Sequence, residues 1–328
     1  MKLYGLAFVK NGVNFDYPFI ESLKSLAPIV SKTYINVGIG DDGTKEKVSE
    51  CDNLEIIDVD WDDNRSDKGL ILSEMTNIPL KKMREDIKDD DAWVFYLQSD
   101  EVIHEKDYSR ILEDIKKAHE NGCDVVSFRY LHFFHDHNTV ALHKRWYPQE
   151  IRAFKLNSKI LSHGDAQTFS GWTSSYDSDA FIYHYGHVRQ KDAYKKKMDR
   201  FHRYYQQGFD HFRKHIKRSI KDFLRDEKLH SFYGDHPIVM KDRIARLGGV
   251  FIAPEVVKVS IFGDLKNISS KFLGSINAKE VLINTSGGIE VNFDRSLKKS
   301  FSPISRAWND EFRLAMALYK KNIGLKKI

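Results

Sequence analysis

Cysteine is almost missing from this chain: 328 residues carry two, Cys51 and Cys123. Two thiols cannot build a disulfide framework, so the chain reads as a protein of a reducing compartment. Proline (seven) and glycine (19) are also few, which excludes a collagen-like or long low-complexity chain. No stretch approaches the roughly 20 apolar residues of a membrane-spanning helix. The apolar run 3–9 is cut short by Lys10 and followed by no small-residue cleavage site, unlike an export signal. Charge of one sign is scarce too, 52 Lys+Arg against 47 Asp+Glu, and a net +5 decides little until its placement is known. With 41% hydrophobic residues, a chain this long buries a sizeable core as one large domain with an appendage, or as two domains.

What is present is an alternation of periods. Apolar runs at 3–9, 34–39, 54–59 and 92–97 have strand character, and between them residues 15–30 and 69–87 carry apolar positions at helical spacing, with Pro79 an expected kink. A helix over 105–120 and a strand over 124–130 follow. This order predicts an α/β fold with a mostly parallel sheet covered on both faces, whose ligands bind at the carboxyl ends of the strands. Residues 131–189, rich in His, Trp and Tyr, predict shorter strands and long loops of the kind that carry binding residues. After residue 250 come two short strand-like runs, 256–262 and 280–283, and a last helix over 305–321.

Two polar clusters fall at predicted strand ends. Asp100 and Glu101 follow the run ending at Leu97, where one or two carboxylates with substrate phosphates suit a hard divalent cation; capping the helix near Glu105 is the alternative. Asp41 and Asp42 precede Gly43-Thr44, where an Asp accepts hydrogen bonds from a base or ribose, or simply makes an Asp-Gly turn. No glycine-rich phosphate loop is present. His132, His135, His137 and His143 have a spacing that suits Zn²⁺. Interleaved Phe133 and Phe134 favour instead a loop touching sugar or structure, with Trp146, Tyr147 and Trp172 available to stack on a sugar ring.

In order and spacing, seven segments resemble the family 2 glycosyltransferases, which have the GT-A fold. They are Ala7-Phe8-Val9-Lys10-Asn11, Asp41-Asp42-Gly43-Thr44, Arg65 with Gly69 and Asn77, Tyr96-Leu97-Gln98-Ser99-Asp100-Glu101, Arg145-Trp146-Tyr147 through Glu150-Ile151-Arg152, Gly164-Asp165-Ala166-Gln167 and Tyr183-His184-Tyr185-Gly186. The resemblance covers residues 1–190. It implies transfer of a sugar from a nucleoside diphosphate donor, with inversion and assisted by Mg²⁺ or Mn²⁺. It puts Phe8, Lys10 and Asn11 beside the nucleoside, Asp41 or Asp42 on the base, and Arg65 near the base or diphosphate. Gln98-Ser99-Asp100 lies where the family has Asp-x-Asp, so an amide replaces the first acid; Gln98 becomes a neutral donor or ribose contact. Asp100 is then the principal metal ligand and His184 the later histidine. Asp165 is the expected base for the acceptor hydroxyl, with Glu150 and Glu101 as rivals.

Residues 191–225 hold twelve Lys/Arg against four Asp, an excess of eight, interleaved with aromatics at helical spacing. The expectation is a basic amphipathic helical region over 191–250, contacting an anionic membrane surface, a lipid-linked acceptor or a phosphate-rich partner, and a small α/β appendage over 251–328; the acceptor of the transfer is expected to be a glycan or lipid-linked. No nucleic-acid-binding motif accompanies it. The expected location is the cytoplasm, peripheral on the inner face of the membrane. A non-catalytic nucleotide-sugar or glycan-binding module and a histidine-centred metal hydrolase are the competing readings.

Overall fold

The computed structural model describes residues 1–62, 65, 67–134, 136–141, 146–204, 229–232 and 234–248, with three strands beyond them. His135, His143 and Arg145, the basic stretch over 205–228 and the expected helix over 305–321 lie outside the described residues.

Four parallel strands, β1 (Leu3–Val9), β2 (Thr33–Gly38), β3 (Leu54–Val59) and β4 (Trp93–Tyr96), stand in the order β3-β2-β1-β4. Every residue of β2 and β4 is buried, which a parallel sheet covered on both faces requires. Helices α1 (Phe19–Leu26), α2 (Thr44–Ser49) and α3 (Leu70–Asp86) are the crossovers. One core packs Leu26, Ile29, Trp93 and Phe95 with Ile111 and Ile115 of α4 (Tyr108–Glu120). The other packs Leu6, Val94 and Tyr96 with Leu80 and Met83 of α3. Fully burying one such leucine is worth about 1.5–3 kcal/mol.

Pro79 lies inside α3 without ending it. Proline lacks an N–H for the carbonyl four residues back, and that carbonyl, of Met75, accepts instead from buried Asn36 Nδ2 at 2.9 Å. Asn36 Oδ1 in turn accepts from Trp61 Nε1 at 3.1 Å.

Beyond β4 antiparallel pairings join the mostly parallel centre, so the sheet is mixed. β5 (Glu101–Ile103), β6 (Val125–Phe134), β7 (Thr139–Ala141), β8 (Gln149–Lys155) and the long β11 (Ser175–His187) belong to it. β8 runs antiparallel between β4 and β6, β11 pairs parallel with β6, and β12 (Leu229–Ser231) closes the edge on β7. A small hairpin, β9 (Leu161–His163) and β10 (Thr168–Ser170), stands off the sheet. The region expected to be short strands thus contains a 13-residue strand; its His and Tyr pattern hid the pairing. Helix α5 (Lys191–Tyr204) follows, and β13 (Val256–Ser260), β14 (Ala278–Asn284) and β15 (Ile289–Phe293) form a separate antiparallel sheet. Among the described residues no helix is long and apolar enough to cross a membrane.

Candidate functional site

A cavity of about 310 Å³ opens at the carboxyl ends of β1 and β4, where open α/β sheets bind ligands. Phe8, Lys10 and Asn11 line it from the end of β1, and Gln98 and Asp100 from the end of β4. Tyr147, Asp165, His184 and His187 complete the wall, with Lys197, Arg200 and Tyr204 from α5.

Local structure fixes each group. The Phe8 ring stacks on Tyr96 at 6.4 Å. Lys10 crosses over Gly38 so closely that a Cβ there would meet its stem at 2.7 Å, and its Nζ donates to Trp61 O at 3.1 Å. Asp165 sits in the turn between β9 and β10, flanked by Gly164 and Ala166, both in the left-handed region (φ 63° and 65°). An alanine at that φ is held by its surroundings: Ala166 O accepts from Gln98 Nε2 at 2.9 Å and from Tyr96 Oη at 3.3 Å. Asn77 on α3 ties the hairpin down through reciprocal bonds with Ser162, at 3.1 and 2.9 Å. The Gln98 amide therefore positions the Asp165 turn.

Asp100 is the electrostatic centre. Its Oδ2 lies 3.3 Å from Lys197 Nζ and 3.6 Å from an Arg189 nitrogen, and its Oδ1 lies 3.7 Å from His184 Nε2. Burial alone would raise its pKa, but the Lys197 and Arg189 cations beside it hold the carboxyl well below the usual range. The imidazoles can be assigned in turn. His132 Nε2 faces Tyr147 O at 2.7 Å, an acceptor, so Nε2 carries the proton. Burial lowers the pKa of both His132 and His184; a neutral His132 accepts at Nδ1 from His184 Nδ1–H, 3.0 Å away. His184 Nε2 is left as a lone pair facing Asp100. Gly186 makes room for this pair: a Cβ there would stand 2.5 Å from His184 Nε2 and 2.9 Å from Asp100 Oδ2.

Five residues named from sequence lie off the cavity wall. Asp42 spends its carboxylate on the backbone, accepting from Thr44 N and Oγ1 at 3.2 and 2.6 Å and from Asn14 N at 2.9 Å. It makes the turn into α2, and Asp41 beside it is exposed. Arg65 is held by Glu74 and Asp67, whose carboxylates outcompete a more distant ligand. Glu150 accepts from Gln167 Nε2 at 2.6 Å, with burial raising its pKa, and it stands behind the wall that Gln167 forms. Glu101 is also committed: fully buried, it takes two bonds from Arg152 (2.7 and 2.9 Å) and one each from Tyr130 Oη and Gln98 N. Arg152 thus pairs with Glu101 and not with Glu150, its near neighbour in sequence.

Of the histidine group, His132 joins His184, while His137 packs against Tyr185 and His236. Among the described residues no three His, Cys, Asp or Glu could hold a metal by themselves, and His135 and His143 lie outside them. Trp172 lies outside the cavity, its Nε1 on Phe169 O.

The sequence reading overlooked Arg189, Tyr17, His187 and the inward face of α5. Its apolar stripe ran through Tyr194, Met198 and Phe201. The described buried positions are Ala193, Lys197 and Tyr204, one residue out of phase. Spacing gives the helical period but not which phase docks.

No family model matches the chain, and no curated protein does. Solved structures do. S. aureus TarS is 14% identical, with a TM-score of 0.38 over 60% of this chain and 38% of that one. TarS 1–349 in complex with UDP is 15% identical, with a TM-score of 0.37 over 61% of this chain and 64% of that one. The 4-diphosphocytidyl-2C-methyl-D-erythritol synthase of Anaerococcus prevotii DSM 20548 is 11% identical, with a TM-score of 0.33 over 60% and 96%. This chain spans less than two thirds of either TarS chain.

Proposed function

We propose that this protein transfers a sugar from a nucleoside diphosphate sugar to the hydroxyl of a glycan or lipid-linked acceptor, with inversion. The observation that carries this is convergence. Segments far apart in sequence, around Phe8–Asn11, Gln98–Asp100, Asp165 and His184, line one cavity at the carboxyl edge of the parallel strands. Its volume is at the small end of the range for small-molecule sites.

The donor set suits Mg²⁺ or Mn²⁺. Asp100 Oδ1 and the lone pair of His184 Nε2 are two adjacent protein ligands, and such ions complete their shell with substrate phosphates and water. When bound, the ion would neutralise charge on the departing diphosphate. Phe8 offers a face to the nucleobase, and Lys10 and Asn11 polar contacts to the nucleoside. Asp165, carried into the cavity by its constrained turn, takes the proton of the attacking hydroxyl. Tyr147 and Trp146 wall the acceptor side. Exposed Lys195 and Lys196 leave the outer face of α5 to an anionic membrane surface.

A screen of nucleoside diphosphate sugars, with and without Mn²⁺, tests the reading by thermal shift and by release of nucleoside diphosphate. Stabilisation by one donor, and its turnover, are expected; no stabilisation and no release with any donor would sink it. A non-catalytic binding module is the second reading, favoured by the Gln98 amide, which stands in place of an acid and bonds to Ala166 O. Stabilisation by a donor that is never turned over would select it.

A further inference from the structure

We propose that Arg243, far downstream of the parallel strands, is a positioning residue for donor binding: it holds the loop after β1 in the shape that lines the cavity. The proposal deepens the reading above and rests on it.

The loop covers residues 10–17. Asn11, Phe15 and Tyr17 line the cavity, whereas Asp16, between the last two, does not. Asn11 stands at the nucleoside end, and the Tyr17 ring lies 4.5 Å from the guanidinium of Arg189, which faces Asp100. The backbone is left-handed at both Asn11 (φ 54°) and Asp16 (φ 50°). Asn and Asp tolerate that region better than other residues with a Cβ, but surroundings must impose it. Internal turns do part of this, Phe15 N donating to Asn11 O and Tyr17 N to Gly12 O, each at 2.9 Å. Asp42 and Thr44 tie down the outer part through Asn14 N and Val13 N.

Arginines hold the part that faces the cavity. Phe15 O accepts from Arg189 Nη1 at 2.8 Å, Asp16 O from Arg243 Nη2, and Tyr17 O from Arg243 Nη1 at 3.4 Å. Three successive carbonyls are thus taken by two guanidinium groups. The Asp16 carboxylate joins them: Oδ1 lies 3.1 Å from Arg243 Nη2 and 3.0 Å from Arg246 Nη2, and Oδ2 accepts from Gln190 N at 3.1 Å. Asp16 therefore gives its polar groups to the arginines while its two neighbours line the cavity.

Arg243 is itself fixed. It lies on α6 (Lys241–Arg246) and is 4% exposed. Met240 and Ile244, on either side of it, pack with Phe133 of β6 and with Tyr183 and Tyr185 of β11. The chain leading into α6 is bonded at three more points. Asp235 Oδ2 meets His104 Nε2 at 3.0 Å, His236 Nδ1 meets Tyr185 Oη at 2.8 Å, and Ile238 N donates to Glu105 at 3.1 Å. So α6 stands on the strand that carries His184 and reaches back 226 residues to the loop that carries Asn11. Neither Arg243 nor Arg246 lines the cavity, and Arg243 acts on the donor through residues 16 and 17. A ligand loses less conformational freedom against a loop already held than against one it must order. The planar fork of arginine serves two carbonyls and a carboxylate together, which the single ammonium of lysine cannot match.

UDP, GDP, CDP and ADP with Mn²⁺ are the probes, titrated calorimetrically into the full chain, and the tightest is carried through the variants. We expect Arg243→Met to weaken its binding about tenfold at unchanged stoichiometry, and Arg243→Lys about threefold. Asp16→Asn keeps a residue that tolerates the left-handed turn and should weaken binding about fivefold. Adding it to Arg243→Met should bring no further loss, since both remove the same tie. Lys241→Met, on the exposed side of α6, should bind like the unmodified protein. A purely structural role has another signature: stoichiometry falls as part of the protein unfolds, and the remainder binds with full affinity. That result, or equal affinity in Arg243→Met and the unmodified protein, would overturn the proposal and leave the donor-transfer reading standing. No binding of any of the four by the unmodified protein would overturn both. If Arg243→Met does not fold, Asp16→Asn decides, since unchanged affinity there overturns the role of Arg243.

Discussion

From β3 to β4 the sheet is built from aliphatic and aromatic side chains, with buried Asn36 satisfied by a helix carbonyl and an indole. From β5 to β11 the same sheet encloses charged and polar pairs: Arg152 with Glu101, His132 with His184, His104 with Asp235, Tyr185 with His236. The first half is held by area removed from water, which is forgiving of detail. The second depends on complementary partners, each of which leaves a costly orphan if removed. The cavity lies on the seam. Phe8, Lys10 and Asn11 line it from the first half, and Tyr147, His184 and His187 from the second, where partners fix tautomers and positions.

The largest expected effect lies at the seam itself. Asp100→Asn should lower turnover by about three orders of magnitude, roughly 4 kcal/mol of barrier, while the melting transition stays cooperative. Asp165→Asn should keep donor binding and lose transfer; donor titration beside single-turnover assays separates the two, and normal transfer would move the base elsewhere. Next, Arg152→Met should cost about 3–5 kcal/mol in denaturant unfolding by stranding Glu101. Adding Glu101→Leu should return most of it. In the apolar half Leu6→Ala should cost about 2–5 kcal/mol and add to Arg152→Met without coupling. Strong coupling would erase the division into halves.

Acid should act through the polar half. Burial, with Arg243 nearby, lowers His137 to about 4, and burial also holds His236 well below the ordinary range. Between about pH 6.5 and 4 the unfolded chain takes up protons that these folded imidazoles refuse. Their contribution is therefore complete at neutral pH and is lost as pH falls through that window, by at most about 1.4 kcal/mol per pH unit for each histidine. Unfolding free energies measured from pH 7 to 4 should show a shallower slope in His137→Gln. The smallest effect is at the α2 turn, where Asp42→Ala should cost about 1 kcal/mol and shift donor affinity less than twofold. A tenfold loss of affinity would return Asp42 to the nucleotide.

The contrast between halves also marks what was legible. Fully buried strands read as continuous apolar runs, so β1 to β4 and the residues at their ends could be located within a residue or two. The pairs of the second half join residues from 51 to 131 apart in sequence, as Glu101 does Arg152 and His104 does Asp235, and no local period encodes such partners. Arg152 stands two residues from Glu150 in sequence, yet its partner is Glu101, 51 residues away. Lys197 was hidden for a different reason. The period of α5 was plain, but its rotation is set by what it docks on, and one residue of phase separates a solvated lysine from one in the cavity. At Asp42 and Arg65 the structure adds what pattern left out, local partners nine or fewer residues away on the charges that the resemblance assigned to a ligand.

Gly186 gives the site an unusual vulnerability. The space between Asp100 and His184 exists because residue 186 has no side chain, so the smallest possible addition fills it. Gly186→Ala adds one methyl and deletes no charge, proton or hydrogen-bonding group, yet it would wedge apart the two atoms that face each other across the gap. The chemistry of this protein can thus be silenced by steric means alone, leaving every reactive group in place and out of register.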